Sequence, residues 1–127
     1  LSRINLTDEK DQIINKIKKA KTDTLPLPST VDELNNRSEA KNLIGIYSSL
    51  TGLNLENTVK KFSGQNFSVF KENLSEVLVE KIVPISSEIK KLLNEKTYLD
   101  EILVEGCKKA EIISSEKIKK IHEIMGF

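Results

Sequence analysis

"SVFKENLSEVLVEKIVPISSEIKKLL", residues 68–93, decides the fold. Phe70, Leu74, Val77, Leu78, Ile82, Ile85, Ile89 and Leu92 recur along it every three or four positions. That spacing puts them on one face of a helix and does not fit the strict alternation of a half-buried strand. Pro84 interrupts the run without shifting its phase. A proline in a helix lacks an N–H to donate and crowds the carbonyl four residues back, here Glu80, so the stretch is read as one long kinked helix.

The same period extends in both directions. Upstream, Thr7 or Asp8 is suited to cap a helix carrying Ile13, Ile14, Ile17 and Ala20, with acids at its start and lysines at its end, as the helix dipole favours. Pro26 and Pro28 then break the pattern into a surface loop. Thr30-x-x-Glu33 opens a short turn of helix with Val31 and Leu34. A helix over about 38–50 presents Ala40, Leu43, Ile44, Tyr47 and Leu50, and Gly52 stops it. Asn54 caps the next, with Leu55, Val59 and Phe62 on its stripe and Gly64 at its end. Downstream, Thr97-x-x-Asp100 opens a last helix in which Leu99, Ile102, Leu103, Gly106, Ala110 and Ile113 keep the helical period. Ser114 and Ser115 mark a bend, and Ile118, Ile121 and Met125 carry the apolar face on to Gly126. The fold class is all-α, a helical bundle of five or six helices.

Composition agrees. A chain of 127 residues suits one domain. Charged residues make up 31% and aromatic residues 5%, with no Trp, which fits helices with solvated outer faces. Twenty Lys and Arg against nineteen Asp and Glu leave a net charge of +1, so nucleic-acid binding would need local patches. The single Cys107 cannot form an internal disulfide, which favours a reducing compartment and a cytoplasmic location. No apolar run reaches the roughly 20 residues needed to span a bilayer, so no membrane partner is expected.

No catalytic constellation is visible. One His and one Cys give no metal-ligand pattern, so catalytic and metal sites are both read as none. His122 falls on or beside an apolar face, and the sequence suggests no catalytic role for it. "SGQNF", residues 63–67, has one Gly and lacks the Lys-Ser/Thr of a phosphate loop. The lysine clusters, among them Lys108/Lys109 and Lys117/Lys119/Lys120, are explained either as solvated faces or as phosphate contacts.

"SRINLTD" (2–8), "KIKKAKTD" (16–23), "RSEAKNLIGIYSSLTG" (37–52), "VPI" (83–85), "YLDEILVEGCKKA" (98–110) and "IMGF" (124–127) together resemble, in order and spacing, the C-terminal helical region of bacterial tryptophanyl-tRNA synthetases of the alphaproteobacterial and mitochondrial-like type. The resemblance covers essentially the whole chain. It implies a class I ligase that attaches tryptophan to tRNA using ATP with Mg2+, through a Rossmann-type catalytic half with HIGH-like and KMSKS signatures. Neither signature occurs here, so no catalytic residue is carried over, no cofactor is expected in this fragment, and the fragment alone is expected to be inactive. In this reading residues 1–7 are the tail of the catalytic half, just after the KMSKS loop and near a hinge, and 8–127 form the C-terminal helical domain. The family further implies contact with the anticodon arm of tRNA(Trp) and a homodimer formed through the absent half. The loop "TLPLPSTVDELNNR" (24–37) is longer than in many members, and no role is carried over across it.

The RNA-binding residues expected on this reading are Lys108, Lys109, Lys119 and Lys120, an elongated basic edge if the last helical segments are collinear. Gly106, in phase with the apolar stripe, is expected to be buried against the 68–93 or 38–50 helix, where a bulkier residue would cost about 1–3 kcal/mol by overpacking. The alternative reading is a helical protein-interaction module without RNA binding.

Overall fold

The computed structural model describes residues 3–126. Leu1, Ser2 and Phe127 lie outside them, and with these the ends of the expected 1–7 tail and of the "IMGF" close. Among the described residues there are six helices and no strand: α1 (Lys10–Lys19), α2 (Val31–Asn35), α3 (Ser38–Thr51), α4 (Leu55–Phe62), α5 (Phe67–Asn94) and α6 (Lys96–Met125). The all-α expectation is met. The residues form two compact units, one up to Glu88 and one from Ile89 onward.

The first unit holds the core. Tyr47 from α3, Phe62 from α4 and Phe70 from α5 meet there. Tyr47 and Phe70 each approach Phe62 edge-on, with centroids 4.9 Å and 4.8 Å away. Such edge-to-face pairs set the positive ring edge against the negative ring face. Ile13, Leu34, Ile44, Val59 and Leu74 close the space around them. Of the stripe read in 68–93, Phe70, Leu74 and Leu78 are buried, Val77 and Ile82 are half-buried, and Ile85 is exposed. The helix runs through Pro84 as one element.

Local chemistry sets the element ends, not always at the expected residue. Asn54 caps α4 by accepting from the Asn57 N–H at 2.8 Å. Thr30 does the same for α2 with Glu33, while the Glu33 carboxylate reaches back to the Ser29 N–H. Gly52 ends α3 with φ of 72°, the left-handed geometry that only glycine adopts freely. The α1 cap is Glu9, whose N–H donates to Gln12 Oε1, and not Thr7 or Asp8. Asp8 is spent elsewhere: it accepts from the Asn5 N–H and from Lys16 Nζ, and is 6% exposed.

The proline loop also departs from a plain surface connection. Leu27 is buried, and its backbone bonds to Gln65 and Gly64 tie the loop to the α4–α5 turn. Arg37 fastens the same loop from the other side. Its guanidinium donates to the Asp23 carboxylate and to the carbonyls of Leu25 and Pro26, and lies 5.6 Å over the Phe67 ring. The planar fork of arginine serves several acceptors at once, which an ammonium cannot do in the same geometry.

The second unit contains the end of α5 and the 30-residue α6. Glu95 alone separates them; its N–H donates to the carbonyls of Lys91 and Leu92. Thr97 therefore sits inside the first turn of α6 and is not its cap. The bend expected at Ser114–Ser115 does not break the helix, and Ser114 Oγ donates back to the Glu111 carbonyl. Gly106 is exposed, and a Cβ built there would meet nothing within 4 Å. The expected burial of Gly106 is thus corrected. Periodicity identifies which residues share a face, but it does not supply a neighbour to cover that face.

Candidate nucleic-acid interface

The four lysines expected to bind RNA all lie on α6, and all are exposed. Because α6 is a single helix, their spacing follows from helix geometry. Eleven residues separate Lys108 from Lys119 and Lys109 from Lys120, which brings each pair to within about 20° of the same line and about 16 Å apart along the axis. The structure thus places the four on two lines of one helix about 100° apart.

The edge is not purely basic. Lys109 pairs with Glu105 at 2.6 Å and Lys120 with Glu116 at 2.7 Å, both one turn earlier. Exposed pairs at this spacing contribute only about 0.3–0.5 kcal/mol, so a phosphate can displace the carboxylate at little cost. Lys108 borders a shallow hollow with Asp100, Glu101 and Glu105, a locally acidic setting. Lys119 borders a shallow hollow with Ser115, His122 and Glu123. Cys107, next to Lys108, is a free exposed thiol. Leu103, Ile113, Ile118 and Ile121 are also exposed on this helix.

Other lysine clusters are partly committed to the fold. Lys16 holds Asp8, Lys61 donates to Tyr47 Oη at 2.7 Å, and Lys71 donates to the Ala20 carbonyl at 2.6 Å. Burial pushes the Lys71 ammonium below the ordinary lysine range.

Sequence comparison supplies what the lysines alone do not. A protein named tryptophan–tRNA ligase from Mesorhizobium japonicum is 44% identical over 126 residues, 99% of this chain. Proteins of the same name from Agrobacterium fabrum and Rickettsia conorii are 43% and 44% identical over 127 and 126 residues. Over its whole length the chain is similar to tryptophan–tRNA ligases. The part of these ligases that is matched is their C-terminal region, and the chain spans 36–38% of their length. No family model matches the chain. The resemblance read from the scattered segments is therefore met across the alphaproteobacterial ligases.

Two arrangements escaped the sequence reading. One is the Arg37 latch. The other is a groove between α1 and the first turns of α5, with a volume of about 760 Å3. Its signal was present as Lys10-Ile14-Lys18 and Glu72-Glu76-Glu80, each repeating every four residues along one helix line.

Proposed function

We propose that this chain is the tRNA-facing helical part of a tryptophan–tRNA ligase, and that α6 presents Lys108, Lys109, Lys119 and Lys120 to phosphates near the anticodon of tRNA(Trp). The observation carrying this reading is the match at 44% identity over 126 residues to a protein so named. Residues 8–127 would act as the helical domain, with the preceding residues leading to the catalytic half. The parent enzyme would form tryptophanyl-adenylate from tryptophan and ATP with Mg2+, transfer tryptophan to tRNA, act as a homodimer through its catalytic half and reside in the cytoplasm. No described helix is long and apolar enough to cross a membrane.

Among the described residues no three of His, Cys, Asp and Glu converge on a cation position, and the chain has no glycine-rich phosphate loop. No step of the chemistry is assigned to this chain. Its contribution is positional: phosphate contacts fix register and orientation, and base readout needs separate polar groups.

The test is binding of tRNA(Trp) to this chain over a series of salt concentrations. Lys108→Glu/Lys109→Glu should weaken binding and flatten its salt dependence, because fewer phosphate contacts release fewer counterions. Unchanged binding at low salt removes these lysines from the site. Failure of tRNA to bind at any salt, with capture of a protein partner instead, favours the protein-interaction reading. Mixing the chain with tryptophan, ATP and pyrophosphate should give no exchange.

A further inference from the structure

The groove of the first unit has two unlike rims. On α1, Lys10 and Lys18 flank Ile14 along one line of the helix. On α5, Glu72, Glu76 and Glu80 form the opposite line. The apolar surface of the groove comes from Ile14, on the basic line itself, and from Phe67 and Val79. Lys71 belongs to the wall and not to the rims, since its ammonium is bound to the Ala20 carbonyl at the end of α1.

The rim charges are largely unspent. Glu80 pairs with its neighbour Lys81. Lys10, Lys18, Glu72 and Glu76 take part in no ion pair among the described residues. An apolar floor between a basic and an acidic rim is complementary to one kind of object, an amphipathic helix whose apolar stripe has acids on one flank and bases on the other. The span from Lys10 to Lys18, about 12 Å, matches two turns of such a helix. Nucleic acid is disfavoured because the glutamate rim repels phosphate.

We propose that this groove docks an amphipathic protein helix with one acidic and one basic flank, the acidic flank toward Lys10 and Lys18 and the basic flank toward Glu72 and Glu76. The unlike rims also select direction. Reversing a helix end to end while keeping its stripe on the floor exchanges its flanks, so only one polarity satisfies both rims. The inference is independent of the tRNA reading, which concerns α6.

Three helical peptides of about 14 residues (about 21 Å) test it. All carry the same leucine stripe, with flanks of glutamate and lysine, of glutamate only, or of lysine only. Binding to this chain is followed by fluorescence anisotropy at low salt. The mixed peptide should bind tightest, each single-sign peptide about tenfold weaker, since like charges face one rim in each. In Lys10→Glu/Lys18→Glu both rims become acidic, and the lysine-only peptide should become the tightest ligand. In Glu72→Lys/Glu76→Lys the glutamate-only peptide should take that place. Circular dichroism confirms that each variant is folded. Equal affinities for the three peptides, no binding by any of them, or an order that the rim reversals leave unchanged overturns the proposal. Displacement of the mixed peptide by tRNA also overturns it and assigns the groove to RNA.

Discussion

At Arg37 one side chain does the work of several contacts. It bridges Asp23, two loop carbonyls and the Phe67 ring, and its side chain is only 17% exposed. Arg37→Ala removes charge-assisted bonds and leaves the loop carbonyls to water, so a loss of about 2–3 kcal/mol is expected in urea unfolding. Arg37→Lys should recover only part of it, since an ammonium cannot reproduce the fork. The acid limb of stability has its origin at the same scale. The bond from Lys16, then that from the Asn5 N–H, holds Asp8 below the ordinary aspartate value, and Arg37 does the same for Asp23. A carboxyl whose folded pKa is lowered contributes stability above its unfolded pKa, about 3.9, and loses it as pH falls through the folded value. Thermal stability should therefore fall below about pH 4, and Asp8→Asn should flatten that decline. An unchanged acid slope in this variant removes Asp8 from the account.

Among the elements, those that bury a stripe were legible in both period and burial, and α6 was legible as a helix but not in its burial. The 38–50 stripe and the first part of the 68–93 stripe, up to Leu78, pack into the core, because Tyr47, Phe70 and Leu74 have partners on neighbouring helices. Phe62→Ala should therefore cost about 3–5 kcal/mol, measured by chemical denaturation. α6 has the same period and none of that burial. Gly106 makes the difference measurable. With open space at its Cβ, Gly106→Ala should stabilise α6 by about 1 kcal/mol, seen as greater helicity on heating. The overpacking expected from the sequence gives the opposite sign. The caps show a similar limit. Asn54 and Thr30 were readable because side chain and helix start lie within three residues. Thr97 was not, because the single residue Glu95 lets the next helix begin earlier.

For the molecule as a whole, the unlike sites divide by unit. The groove belongs to the first unit and the lysine edge to the second. The spacing of Lys108, Lys109, Lys119 and Lys120 was legible because a continuous helix fixes it. The groove was not, because it joins residues about 60 positions apart, and single-sequence periodicity carries no information on which helix lies beside which. If the edge binds phosphates, affinity should fall steeply between low and physiological salt, with a slope that counts the contacts. Peptide binding in the groove should depend on salt far less, because much of it rests on apolar contact.

Cys107 gives the molecule a built-in handle. It is the one cysteine of the sequence, its sulfur is open to solvent, and it adjoins Lys108. A thiol-directed dye would attach at that position alone and sit one residue from the nearest proposed phosphate contact. Quenching or a colour change of the dye on adding tRNA would report occupancy of α6 directly, without altering a single charge.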